Sequence, residues 1–388
     1  MSNVEPLPSF EFACAARVVF GAGSLARLPS LVTGLGASSV LVVTGRSTAR
    51  AEPSLAALRS AGLAVDTFSV RGEPTVETVR AGVLAGQGCS AVVALGGGSA
   101  IDAAKAIAIL LTNRGDPLDY IEVVGRGLPL TQPSVPVVAV PTTAGTGSEV
   151  TRNAVLGVPE AKVKASIRSP FMLPAVALVD PDLLEGVPPQ VVRASGLDAL
   201  AQNIEPFLSA AANPLTDALA REGIRRSARS LRRAYFSQGE ASTRDDLALA
   251  SLLGGLCLAN SGLGVVHGFA APLGGMFDAP HGAVCAALLA ASLEVNHRAL
   301  QQRAPEHPSL SRLAELGALL GGKPDAQAAV AWVKALCTEL DVPGLGAYGL
   351  RPDDLSAVVE KGRNASSMKK NPIVLTDAEL TEILERSL

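Results

Sequence analysis

The chain has 388 residues, with 33 Lys and Arg against 36 Asp and Glu for a net charge of −3, 48% hydrophobic content and 3% aromatics. That length supports about two domains with sizeable cores. Near-neutral charge without basic blocks, and so few aromatics, argue against a surface built on phosphate neutralisation and base stacking, so small-molecule ligands are expected and nucleic acid is not.

The N-terminal "MSNVEPLPSFEF" has no basic start followed by an apolar run, and no apolar stretch approaches the roughly 20 residues that cross a bilayer. A cytoplasmic protein with no membrane partner is expected. Residues Gly21-Ala22-Gly23-Ser24-Leu25-Ala26 fit the G-x-G-x-x-A dinucleotide fingerprint. The run before them is short and no acidic residue follows at the expected distance, so a helix cap at Gly23 or Ser24 is the better reading.

From residue 38, β-branched runs alternate with amphipathic helical patterns: "SSVLVVTG", "EPSLAALRSAG", "VDTFSV", "TVETVRAGVLAGQ", "AVVALGGG", "SAIDAAKAIAILLT", "PVVAVPTT" and "AVALVDP". This spacing implies right-handed crossovers and a doubly wound parallel sheet covered on both faces. Beyond Pro181 the segments are Ala- and Leu-rich with Gly/Pro breaks and no convincing strand, which reads as an all-helical domain. The expected fold is an α/β dinucleotide-binding domain over residues 1–185 followed by an all-α domain over 186–388.

Four stretches have chemical potential. Gly96-Gly97-Gly98-Ser99 stands between an apolar strand and a helix, where missing Cβ atoms and the helix dipole favour a phosphate-bearing ligand. The loop "PTTAGTGSEVT" sets Thr142, Thr143, Thr146 and Ser148 around Gly145 and Gly147 directly after a strand, at the edge where doubly wound sheets bind ligands. "SGLDALAQNIEPFLS" reads as a helix with an inward stripe of Leu197, Leu200, Ala201, Ile204 and Leu208. Asp198 and Gln202 stand one turn apart beside that stripe, and taken alone they read as solvated or capped polar groups. "HGFAAPLGGMFDAPHG" holds His267 and His281, two of four histidines, each followed by a glycine that would leave room around a ligand. With Asp198 they make a candidate site of one carboxylate and two imidazoles, suited to iron or zinc with an open position. Cys14, Cys89, Cys257, Cys285 and Cys337 are scattered and never form C-x-x-C, so they are expected to be buried small hydrophobes and to form neither a disulfide framework nor a thiolate zinc site.

In order and spacing, "GGGSAIDAAK", "PTTAGTGSEVT", "DPDLL", "SGLDAL" and "HGFAAPLGGMFDAPHG" resemble the iron-containing (group III) alcohol dehydrogenase family, from about Phe20 to "NPIVLTDAELTEIL". The resemblance implies a dehydroquinate-synthase-like pair of domains. It implies that Gly96, Gly97, Gly98, Ser99 and Asp102 lie against the cofactor pyrophosphate and nicotinamide ribose. Thr142, Thr143 and Thr146 would line the nicotinamide side, and Lys164 would reach a ribose. It also implies a metal held by one Asp and three His, with Asp198, His267 and His281 on three positions and Gln202 where the fourth histidine belongs. An amide oxygen is a weaker ligand than imidazole for iron or zinc.

Two further departures bear on chemistry. Ala271 stands where many relatives have another histidine, which removes a titratable partner from the proton path. After the second strand, Gly45-Arg46-Ser47 replaces the acidic residue of NAD-preferring relatives and offers room and charge for a 2′-phosphate, which favours NADP over NAD. Glu73 also replaces an asparagine common in the family near the adenosine. The expected activity is reversible hydride transfer between NAD(P) and a small alcohol, aldehyde or ketone, with a divalent metal as Lewis acid and a homodimer as the assembly. Metal-independent reduction of the maleylacetate reductase kind is the alternative; lyase chemistry of the dehydroquinate synthase kind, or a cofactor-binding protein without catalysis, fits less well.

Overall fold

Buried β-branched runs become strands because their side chains pack on both faces of one sheet. The computed structural model describes residues 9–46, 48–237 and 240–388. In chain order the first half runs β1 (Arg17–Phe20), α1 (Leu28–Gly34), β2 (Ser39–Thr44), α2 (Glu52–Ser60), β3 (Ala64–Ser69), α3 (Val76–Ala85), β4 (Ala91–Gly96), α4 (Gly98–Leu110), a one-turn α5 (Pro117–Tyr120), β5 (Val137–Pro141), β6 (Asn153–Val158), β7 (Val163–Arg168) and β8 (Val176–Val179). Six strands form one sheet in the order β1-β8-β5-β4-β2-β3, all paired in parallel. Strands β2, β4 and β5 lie at its centre and are almost wholly buried, whereas β3 at the edge alternates half-buried and exposed residues.

The register sets the carboxyl edge flush. Thr44 of β2 pairs with Leu95, and Gly96 with Pro141 of β5, so the loops starting at Gly45, Gly97 and Thr142 open together. Thr142 N–H donates to Gly96 O at 3.0 Å and links two of them.

Two elements of this half depart from the strand and helix spacing. Strand β1, read as too short to count, supplies the edge beside β8. An antiparallel hairpin, β6–β7, lies outside the parallel sheet and turns at Lys162, a non-glycine residue with φ of 50°. The cap reading of Gly21 to Ala26 holds: Gly23 (φ 73°) starts a 3₁₀ turn, and its N–H and that of Leu25 donate to the Asp180 carboxylate at 3.1 and 2.8 Å.

After Val179 the described residues are helical: α6 (Pro189–Leu208), α7 (Pro214–Phe236), α8 (Ala241–Ser261), α9 (Val265–Phe277), α10 (His281–Arg303), α11 (Ser309–Leu319), α12 (Ala326–Glu339), α13 (Leu355–Arg363) and α14 (Asp377–Glu385). Helix α6 is surrounded, and from Gly196 to Leu208 every residue is buried. No single helix among the described residues is long and apolar enough to cross a membrane.

One buried cluster ties the sheet edge to the loop after β5. Lys105 of α4 is fully buried, and its ammonium donates to Ser148 O and Thr151 Oγ1, both at 2.9 Å, and pairs with Asp102 at 3.1 Å. Beside it Glu149 is 1% exposed, and burial pushes its carboxyl up from 4.5 to about 7. A raised acid pKa means that the fold disfavours the charged form, so stability is full below 4.5 and declines as pH rises towards 7. Glu149→Gln removes that penalty: its unfolding free energy should match the wild type at pH 4 and exceed it at pH 8, by up to about 3 kcal/mol. Parallel denaturant titrations at the two pH values check this, and a constant difference would rule the carboxyl out as the cause.

Candidate metal centre

The donors of the site come from three helices. Asp198, Gln202 and Glu205 follow one another on α6 at i, i+4 and i+7, which puts them on one face. His267 lies in the first turn of α9, and His281 opens α10 with Cys285 one turn later. The expectation that Asp198 and Gln202 are solvated is overturned, since both are 1% exposed. Helices α7 and α8 cover the face of α6 that a lone amphipathic pattern would leave to water: Leu231 packs on Gly196, and Gly254 lies against Asn203 and Gln202.

One ligand atom from each of Asp198, His267, His281 and Cys285 lies within 4.8 Å of the others. His267 Nε2 is 3.2 Å from Asp198 Oδ1, and His281 Nε2 is 3.7 Å from the same oxygen. Cys285 Sγ stands 3.7 Å from His267 Nε2 and 3.8 Å from His281 Nε2. Burial pushes the Asp198 carboxyl up, but His281 and His267 outweigh it and hold the group below the usual carboxylate range. Burial pulls both imidazoles down, and their contacts with Cys285 and Asp198 prevail, raising His281 to about 9 and His267 well above its ordinary value. The Asp198 carboxylate thus draws positive charge into the cluster, the electrostatic condition a divalent cation also meets. The donor types and their convergence fit a metal; protons on the imidazoles would leave as it binds.

Glu205 is the site residue that the sequence reading missed. Its Oε2 lies 2.6 Å from His267 Nδ1 and its Oε1 accepts the Val266 N–H at 2.7 Å. A carboxylate only accepts, so Nδ1 carries the proton and Nε2 is left to face Asp198. The available signal was its place two turns after Asp198.

Gln202 is engaged through its amide nitrogen only. Its Nε2 donates to Gly145 O at 3.1 Å, while its Oε1 is buried without a hydrogen-bond partner. The glycines after the histidines do not open space around a ligand, as expected from sequence; they allow close helix packing. A Cβ at Gly282 would lie 2.7 Å from Ala194 O of α6, and one at Gly268 would lie 2.7 Å from Met368 Cε. The reading of the cysteines also needs correction: Cys257 and Cys285 are buried, Cys89 and Cys337 are half-buried, and Cys14 is exposed. Cys285 lies among the donors, where a search for paired thiols could not place it.

The cofactor residues predicted from sequence gather at the sheet edge. A Cβ at Gly97 would lie 3.1 Å from Thr143 Oγ1, one at Gly98 would lie 2.7 Å from Thr146 Oγ1, and one at Gly96 would lie 3.2 Å from Gly45 N. Gly45, Gly96 to Gly98 and the threonine loop are therefore mutual neighbours. The α4 N-terminus has no side-chain cap, and Ser99 lies in its first turn. Asp102 is already engaged: it accepts from Ser148 Oγ and from Val155 N–H at 2.9 Å, besides pairing with Lys105. Lys164 pairs with Glu73 and lies against Gly274 of α9. Arg46 is exposed at the end of β2; Ser47 falls outside the described residues. Ala271 lies one turn after His267 on α9 and brings no titratable group there. The two halves meet at this edge, since Gly145 packs on Ser195 of α6 and Gly147 on Gly255 of α8.

Comparison with known proteins agrees with this arrangement. Residues 15–181 match the model of the iron-containing alcohol dehydrogenase family, and residues 192–388 match that of the Fe-containing alcohol dehydrogenase family C-terminal part. The chain is 35% identical to 1,3-propanediol dehydrogenase of Klebsiella pneumoniae over 91% of its length and 92% of that protein's. It is 33% identical to alcohol dehydrogenase 4 of Schizosaccharomyces pombe, covering 98% of this chain and 88% of the relative. A crystal structure of 1,3-propanediol oxidoreductase superposes with a TM-score of 0.90 at 33% identity, covering 98% of this chain and all of the other. The two family models together span nearly the whole length, and the chain belongs to the iron-containing alcohol dehydrogenase family as an oxidoreductase of the alcohol dehydrogenase type.

Proposed function

We propose that this enzyme transfers a hydride reversibly between NAD(P) and a small alcohol or its aldehyde or ketone, with the two halves as domains 1–185 and 186–388. The observation that carries this reading is the Gln202–Gly145 hydrogen bond, which fastens the Asp198 face of α6 to the loop after β5. A substrate beside Asp198, His267 and His281 would lie next to the edge where Gly45, Gly96, Gly97, Gly98, Ser99, Thr142, Thr143 and Thr146 would hold the cofactor. Asp198, His267 and His281 would hold a divalent ion, which when bound would supply Lewis acidity to the substrate oxygen.

The chain's own residues do the rest. The uncapped α4 N-terminus offers backbone N–H groups and its dipole to the cofactor pyrophosphate. Asp102 and Lys105 hold that helix against the threonine loop, and the Lys164–Glu73 pair lies beside α9 where a ribose would approach. Glu205 keeps the Nδ1 proton on His267. With Ala271 in the place of a titratable residue, the substrate proton would pass to a water or a cofactor hydroxyl. Arg46, exposed and positive at the end of β2, favours a 2′-phosphate and hence NADP.

The test is oxidation of NADPH and of NADH against a panel of small aldehydes and ketones, before chelation, after it, and after restoring Zn²⁺ or Fe²⁺. Turnover faster with NADPH, lost on chelation and recovered with metal, is expected; activity indifferent to chelation would remove the metal, and no turnover with any carbonyl would remove the activity. A metal-free reductase is the second reading, favoured by the place of His281 beside Asp198 and Cys285, which hold its imidazole above the ordinary value and towards the cation that can stabilise an oxyanion.

A further inference from the structure

We propose that Cys285, as a thiolate, is the fourth protein ligand of the metal, and that the Asp198, His267, His281, Cys285 set makes this a zinc centre in place of an iron one. The inference rests on the metal reading above and names the ligand that the missing histidine at 202 leaves open.

Distances favour it first. Zinc bonds of about 2.0 to 2.1 Å to nitrogen and oxygen and about 2.3 Å to sulfur, arranged tetrahedrally, put neighbouring N and O ligands about 3.3 Å apart and S and N ligands about 3.6 Å apart. The two O–N separations here are 3.2 and 3.7 Å, and the two S–N separations are 3.7 and 3.8 Å. Four of the six ligand separations thus lie within about 0.4 Å of a tetrahedral shell with Sγ at one vertex, and the other two lie within 4.8 Å. Both imidazoles turn the same nitrogen, Nε2, towards the sulfur and towards Asp198, while His267 Nδ1 is occupied by Glu205.

Position favours it next. Cys285 is fully buried on α10, one turn after His281, so the two share a helix face as paired ligands commonly do. Gln202 would ligate only through Oε1, the atom left without a hydrogen-bond partner while its amide nitrogen donates to Gly145 O, and a neutral amide oxygen is a weaker ligand than a thiolate. The orphaned Gln202 Oε1 is a buried acceptor one turn from Asp198, suited to a proton-bearing group such as a water or an alcohol hydroxyl entering the site.

Charge and softness decide the metal. Asp198 and a Cys285 thiolate together balance a divalent cation, whereas one carboxylate with three imidazoles leaves a net positive charge. Thiolate with imidazole selects zinc over iron among divalent ions commonly at hand. Coordination takes the thiol as thiolate and releases its proton to solvent. The substrate oxygen would then enter as a fifth ligand, an expansion that catalytic zinc accommodates.

Cobalt(II) replacement tests this, because a cobalt–thiolate bond adds an intense near-ultraviolet charge-transfer band that carboxylate and imidazole ligands do not produce. The full-length protein, stripped and reloaded with Co²⁺, is expected to bind one ion per chain and show the band. Cys285→Ser should lose the band and release cobalt to a chelator at least roughly tenfold more readily, with Gln202→Ala keeping the band intact. One cobalt per chain without the band would overturn the thiolate ligand and leave the proposed activity standing. A band that Gln202→Ala abolishes and Cys285→Ser keeps would also overturn it, and failure to bind cobalt stoichiometrically would remove the metal reading together with this inference. Should Cys285→Ser fold poorly, Cys285→Ala, which keeps a small apolar side chain at this buried position, separates the same outcomes: loss of the band with one cobalt still bound is expected, and a band retained in Cys285→Ala would overturn the thiolate ligand.

Discussion

Replacing Asp198 by alanine is expected to lower kcat/KM by about three orders of magnitude, or about 4 kcal/mol of transition-state stabilisation, with cofactor affinity unchanged. Asp198 is the only carboxylate among the four converging donors and lies within 4 Å of both imidazoles. Its loss would leave His267 and His281, ring centroids 5.4 Å apart, without the carboxylate that faces both of them, with Glu205 still beside His267 alone. Both imidazole pKa values should fall, which nuclear magnetic resonance titration of the metal-free variant would register. Steady-state kinetics and fluorescence titration of NADPH separate catalysis from cofactor binding, and Asp198→Asn, nearly equal in volume, separates charge from packing. A variant as fast as the wild type would remove Asp198 from the mechanism.

Glu205→Gln should cost between 10- and 100-fold in metal retention or turnover, about 1.4 to 2.7 kcal/mol. The carboxylate accepts two hydrogen bonds, from His267 Nδ1–H and from Val266 N–H. Glutamine has one acceptor oxygen, so its NH₂ must face one of those two donors. Either Val266 loses its partner or His267 moves its proton to Nε2, the atom that faces Asp198. The surroundings leave little room for adjustment, since a Cβ at Gly264 would already lie 2.9 Å from Glu205 Oε1. Metal content after dialysis, together with the pH profile of kcat, distinguishes this positioning role from simple loss of stability: a variant that is less stable but retains metal and profile would sink it.

Much of the sheet was legible because its signal is local. Buried strands such as "VLVVT" and "AVVALG" are near-continuous apolar runs, and the helices between them announce themselves by period and glycine breaks. The β6–β7 hairpin was missed although Ala154, Leu156 and Val158 alternate with more exposed neighbours. Its turn lacks the usual glycine signal, since Pro159 starts it and Lys162 takes the positive φ.

The candidate site was legible in part. Order and spacing of motifs brought Asp198, His267 and His281 together, and the same motifs assembled the glycine and threonine loops, because a shared family scaffold keeps those positions adjacent. Residue type alone, however, marked Asp198 and Gln202 as surface groups, since burial of a helix on all sides depends on where distant helices pack.

The amino-acid sequence by itself determined the α/β and helical halves, the glycine turn at the sheet edge and the identity of three converging donors. Tertiary structure alone decided that Glu205 orients His267, that Gln202 is held by Gly145, and that Cys285, which looks like a core hydrophobe in sequence, stands within 4 Å of both imidazoles. The reason is physical: periodicity follows from contacts along one element, whereas this donor cluster joins atoms from three helices whose packing no local pattern encodes.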